Sequence, residues 1–209
     1  MSTVERVHAW WTSRSDERFW LGFVGGDGRR ELLAAPCGEG GRAATAAHRL
    51  ITHVRPGDTL FHFDPAACAI TACSTVAGRA RRRRLAWPHG GRCACPPDRA
   101  LPAVASWAVG LTSTRLLEVP VPAARVAETQ WELFPALHAL EDSVGGALHY
   151  PFSMSGPSET HVLAGWVFKL PALFVMAIPA LARAASGERT VPFRTPAPAG
   201  ARAVSASTR

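Results

Sequence analysis

The sequence predicts an α+β fold, a small antiparallel or mixed barrel with helices around it. Two runs, 59–64 and 68–76, are rich in aromatic, β-branched or small residues, and Pro65-Ala66-Ala67 joins them as the turn of a hairpin. Val126, Leu133, Leu137 and Leu140 recur at helical spacing. Strands and helices are interleaved along the chain, and the strand connections are short enough for hairpins.

Ser2 or Thr3 caps a short helix through Trp11, with Glu5 in its first turn. Residues 18–24 read as the first strand, and Gly25-Gly26-Asp27-Gly28 as the turn after it. Residues 34–46 are small and Gly/Ala-rich and read as a loop, with an Ala-rich helical turn running on to Val54. Arg55-Pro56-Gly57-Asp58 is a turn with a mechanism, since proline presets φ and glycine permits φ > 0. Residues 78–100 read as an arginine-rich loop, and 107–121 as one strand or two.

Pro122 opens a helix that Pro135 kinks or splits and Gly145-Gly146 stops. Residues 149–153 read as a loop, 162–169 as a strand and 172–185 as a last helix. The apolar stretch 162–184 is nearly long enough to span a bilayer, but Lys169, Pro171 and Pro179 interrupt it, so it reads as core. The expected organisation is an N-terminal helix over 1–16, one domain over 17–185 and a flexible tail over 186–209, where Pro, Ala, Ser, Thr and Arg dominate.

Of 209 residues, 47% are apolar and 19% charged, which excludes a chain disordered throughout. The net charge is +7, and all but one of the 23 basic residues are arginine. That surplus favours a polyanion, chiefly nucleic acid, although a GC-rich coding bias on a solvated surface gives the same count. The start of the chain carries charge and shows no secretory signal. Five irregularly spaced cysteines fit a reducing compartment, so the expected location is the cytoplasm. Cys93-Ala94-Cys95, with His89 and Cys73, lacks the second spaced ligand pair of a zinc site, and no metal or cofactor is expected.

The chemistry of familiar enzymes is missing. There is no asparagine for an HNH nuclease, and the single lysine, Lys169, follows Val167-Phe168 rather than a D/E-x-K pattern. No phosphate loop, G-x-S-x-G elbow or zinc-deaminase pair is present. The expectation is a protein that is not an enzyme.

Gly57-Asp58-Thr59-Leu60-Phe61-His62-Phe63-Asp64, followed by 69–78 ending in Val76-Ala77-Gly78, resembles the strand pair of EVE and related PUA-like domains. Glu17-Arg18-Phe19-Trp20-Leu21 is similar to that family's opening strand. Trp87-Pro88-His89-Gly90 and Trp107 fall where restriction-associated versions place aromatics, and Pro151-Phe152-Ser153 and Phe168-Lys169-Leu170-Pro171 resemble the closing segment. The likeness covers roughly 17–182. Cys73 departs from it, standing where an aromatic is expected. The resemblance implies a PUA-like (EVE/YTH/SRA-like) barrel that reads a modified base. The reading is of modified cytosine in DNA, 5-methylcytosine first, flipped into an aromatic pocket; the alternative is an RNA-binding module that recognises a modified or single-stranded base. Methylated duplex DNA is then the partner, with a homodimer and a separate nuclease as further expectations and no membrane.

Such a reader needs cations for phosphates, aromatic walls for the extruded base, a few polar groups for its edge and an apolar notch for the methyl. Arg79, Arg81, Arg82, Arg83 and Arg84 are the cationic candidates; a solvated loop is the bland alternative. Trp87 and Trp107, in or beside loops, are candidate walls; Trp20 is a further candidate that reads more readily as core, Trp131 is assigned to the core by its helical spacing, and Trp10 and Trp11 to packing of the first helix. Asp64 can accept from the cytosine amine or cap the turn before Pro65. His62 reads more readily as a satisfied core histidine than as a base contact. Ser74 and Ser153 are candidates for the base edge or local backbone partners, and Phe152 for packing the methyl.

Overall fold

The computed structural model describes residues 7–23, 31–37, 46–86, 103–152, 166–187 and 191–192. The described residues form eight strands: β1 (Phe19–Phe23), β2 (Leu32–Pro36), β3 (Thr59–Asp64), β4 (Ala69–Val76), β5 (Arg81–Ala86), β6 (Ala103–Pro122), β7 (Val167–Leu170) and β8 (Val191–Pro192). Five short helices accompany them: α1 (Ala46–Arg49), α2 (Ala123–Glu132), α3 (Phe134–Val144), α4 (Ala172–Ala177) and α5 (Pro179–Ser186). The sheet runs β2-β6-β4-β3-β1-β7, with β5 and β8 also on β6. β1 and β3 are parallel and every other pairing is antiparallel, so this is the mixed α+β class expected.

Local chemistry sets the frame. Pro56 and Gly57, the latter at φ +82, turn the chain, and Asp58 N–H donates to the Arg55 carbonyl at 3.0 Å. This turn delivers β3 beside β4 in the hairpin register Leu60↔Ser74 and Phe61↔Cys73. β6 is long enough to serve two partners in succession. β4 ends with Val76 opposite Leu111, and β5 resumes with Arg81 opposite Ala108. Register shifts in β4 and a positive φ of 51° at Ser113 in β6 mark where this pair bends.

The sheet curls until β2 meets β1 without pairing to it. A Cβ on Gly22 would lie 2.9 Å from the Leu33 Cδ1 of β2, so glycine is what lets the two strands approach. One apolar cluster draws Trp20, Leu33, Leu60, Val76, Val109 and Val167 from six different strands and is the inner face of the curl. The other face, with Phe19, Leu21, Phe61 and Phe168, is covered by Phe174, Val175, Ile178 and Leu181 of the last two helices and the link between them.

Several expectations are corrected. Residues 32–36 form a strand where a loop was expected from 34 onward, because all but Leu32 are buried and small residues fit a tightly enclosed strand. The arginine run is also a strand, β5, held by pairing to β6 over Arg81↔Ala108 to Ala86↔Ala103. Instead of a helix reaching Trp11, the described part of the N-terminal segment holds a 3₁₀ turn, Trp10–Ser13. The last helix is two, broken at Ile178, whose extended backbone obeys the proline that follows it. Trp131, assigned to the core, is 56% exposed. As expected, the long helix divides near Pro135, into α2 and α3. Within the segment read as a tail, Val191–Pro192 pairs with β6. Among the described residues no helix is long and apolar enough to cross a membrane.

Candidate nucleic-acid interface

β5 lies at the sheet margin, paired among the described strands to β6 alone. Its first four residues, Arg81, Arg82, Arg83 and Arg84, are all exposed. Strand alternation puts Arg82 and Arg84 on one face and Arg81 and Arg83 on the other. Arg82 stands directly opposite Trp107 of β6, and its guanidinium carbon lies 5.1 Å from the indole centroid. Such a cation–π contact stabilises by about 0.5–1 kcal/mol at an exposed site. Arg84 donates to the Ala103 carbonyl at 2.7 Å. Among the described residues, neither these four arginines nor Arg79 forms an ion pair with a carboxylate; the ion pairs there use other cations. Burial pushes the thiol of Cys37 above its ordinary value, and the Arg82 charge pulls it the other way. The result is a ribbon of exposed positive charge with a half-buried indole on one side.

A polar chain crosses the inner wall of the curl. His62 Nε2 lies 2.6 Å from Ser74 Oγ, which lies 2.7 Å from Thr114 Oγ1. His62 and Ser74 are both buried, so these bonds satisfy groups that would otherwise be stranded, and His62 is a hydrogen-bonded core histidine. Asp64 closes β3 by accepting from the Ala66 and Ala67 amides through Oδ1, at 2.9 and 3.3 Å, so it caps the turn.

Trp20 is fully buried and donates its indole N–H to Asp58 Oδ2 at 2.8 Å. Asp58 also accepts from the Arg55 amide at 2.9 Å and faces Arg18 at 3.6 Å, so one carboxylate ties the turn before β3 to β1. Trp20 packs edge-on to Trp11, which meets Trp10, His53 and His149 in the same way. Burial and the charges of Arg49 and Arg55 lower the pKa of His53. Phe152 is buried against Tyr150 and Phe174 under the last helices, on the sheet face opposite the cluster that Trp107 joins. Trp87 and Ser153 lie outside the described residues, as do His89, Cys93 and Cys95.

The structure therefore brings Arg82 to Trp107 and His62 to Ser74, but sets Phe152 apart from Trp107. Sequence reasoning missed Asp58 as a hub and Glu17 as the partner of Lys169. A signal existed for the second: the only lysine of the chain sits in an apolar run, and a buried ammonium demands a carboxylate. Among the described residues no group of three or more His, Cys, Asp or Glu could hold a metal ion.

No protein-family model and no curated protein matches the chain. Among solved structures it is similar to the DUF55 domain of human thymocyte nuclear protein 1 and to human THYN1 protein in complex with 5-methylcytosine containing DNA. Each likeness is at 13% identity and a TM-score of 0.29, over 61% of this chain and 79% of the other.

Proposed function

We propose that the chain is a DNA-binding reader of modified cytosine, 5-methylcytosine first, that draws the base out of the duplex and has no nuclease activity of its own. The observation that carries this reading is the β5–β6 ribbon: four exposed arginines, without carboxylate partners among the described residues, one of them laid over Trp107, with exposed Arg79 just before the strand. Unpaired guanidinium groups on an edge strand meet phosphate oxygens without first breaking an ion pair. The adjacent indole offers a π-face to an unstacked base. Arg82 covers that face in the free protein, so a base that stacks there displaces the guanidinium, and a nearby phosphate receives it. The choice of modified cytosine rests on the resemblance to EVE-like domains. With no nuclease motif in the chain, cleavage would fall to a separate partner, and the site of action is the cytoplasmic nucleoid.

Trp107→Ala tests the pocket. Stacking is worth about 1–3 kcal/mol per base, so the variant is expected to lose its preference for methylated over plain duplex while keeping weak, salt-sensitive binding. Competition titrations with matched DNA and RNA read both points. Preference retained in Trp107→Ala would place the stacking surface elsewhere, and tighter binding of RNA would favour the RNA module instead.

A two-fold dimer would let both strands of a symmetric methylated site be engaged. Light scattering is expected to give a dimer on such a duplex; a monomer both free and bound removes that part of the proposal.

A further inference from the structure

Helices α2 and α3 meet at Leu133, and each buries one side against the body of the fold: Val126 and Ala127 on α2, Leu137 and Leu140 on α3. Trp131 and Phe134 are left 56% and 38% exposed, with ring centroids 6.0 Å apart and planes tilted by 35°. His138 extends the row, 6.2 Å from Phe134. Two large aromatics side by side in water lose apolar burial that the fold does not recover, and tryptophan is the residue type most enriched at the energetic centres of interfaces.

The charge around the pair selects what covers it. Glu128, Glu132, Glu141 and Asp142 are all exposed on these two helices, against a single guanidinium, that of Arg125. Arg125 reaches Glu128 at 3.0 Å and Glu132 at 3.9 Å, and Asp142 pairs with His138 at 3.1 Å. In a chain of net charge +7, this elbow is acidic, so a polyanion is repelled here and a cation attracted. Aromatic faces next to carboxylates favour arginine over lysine, because a planar guanidinium stacks on an indole while donating in its own plane to carboxylate oxygens. We infer that the α2–α3 elbow is a docking surface for a protein partner that presents an arginine-bearing segment, with Trp131 as its anchor. This is independent of the DNA reading, which uses β5 and β6.

The probe is a short fluorescent peptide alternating arginine and glycine, titrated against the full chain by anisotropy, with lysine and glutamate counterparts as controls. The arginine peptide is expected to bind more tightly than the lysine peptide, and the glutamate peptide not at all. Trp131→Ala, at an exposed position that leaves the melting temperature unchanged, is expected to weaken binding about tenfold. Glu128→Gln with Glu132→Gln is expected to weaken it several-fold and reduce its salt dependence. Equal binding by wild type and Trp131→Ala, or no binding of the arginine peptide, overturns the inference. So does sedimentation showing that the wild type self-associates and Trp131→Ala does not, which would assign the elbow to a second copy of this chain.

Discussion

Replacing Lys169 with methionine is expected to destabilise the fold by about 3–5 kcal/mol, the cost of leaving one member of a buried ion pair without the other. Lys169 is fully buried, and its Nζ donates to Glu17 Oε2 at 2.9 Å, to the Phe19 carbonyl at 3.1 Å and to the Leu170 carbonyl at 2.8 Å. All three of its protons are thus placed. The same Glu17 oxygen accepts from the Ala172 amide at 3.0 Å, at the first turn of α4. One ion pair therefore joins the approach to β1, strand β7 and the helix that follows. The indoles of Trp10 and Trp20 lie 5.5 and 5.7 Å from the ammonium and add cation–π attraction.

Burial lowers the Lys169 pKa below 10.5, with Glu17 opposing the shift. The unfolded chain then holds that proton more tightly than the folded one. This group's contribution accordingly rises with pH between the folded value and 10.5, and falls again on acidification through the folded value. Denaturant unfolding reads the loss as a lower midpoint at an unchanged slope. Lys169→Met with Glu17→Leu should recover part of it, because an apolar pair carries no stranded charge. A midpoint unmoved in Lys169→Met would show that the pair contributes nothing to stability.

The second large effect is on binding. Changing Arg81, Arg82, Arg83 and Arg84 together to alanine is expected to weaken the affinity for all DNA sequences alike. The slope of log affinity against log salt should flatten by about 0.9 for every arginine that had neutralised a phosphate. These side chains are exposed and the strand is held by its backbone pairing to β6, so the fold survives the change. A lowered affinity with an unchanged slope would mean that the arginines act through the sheet and not through phosphates.

Much of the frame was legible because it is local. Arg55-Pro56-Gly57-Asp58, the β3–β4 hairpin and the division near Pro135 each follow from residues adjacent in sequence. What was not legible depended on partners far along the chain. Four identical arginines erase the period-two signal by which a strand is recognised, so β5 is defined only by its register with β6. β2 is buried along almost its whole length and shows no alternation either. Trp131 follows helical spacing, but spacing alone does not say which side of α2 meets the core. At the site, Arg82 and Trp107 were each readable as candidates, while their juxtaposition requires a pairing across residues 87–102. For Asp64 the turn-capping alternative is the one with visible hydrogen bonds.

The central claim is that this ribbon binds DNA and that the chain distinguishes a methylated cytosine. The measurement that tests it most directly is a titration of the full chain against three duplexes of one sequence, unmodified, with 5-methylcytosine and with N6-methyladenine, at two salt concentrations. The account predicts binding of all three that weakens steeply with salt, with the 5-methylcytosine duplex tightest at both concentrations. Equal affinity for the three duplexes would contradict the reader, and the absence of salt-dependent binding to any of them would contradict the interface itself.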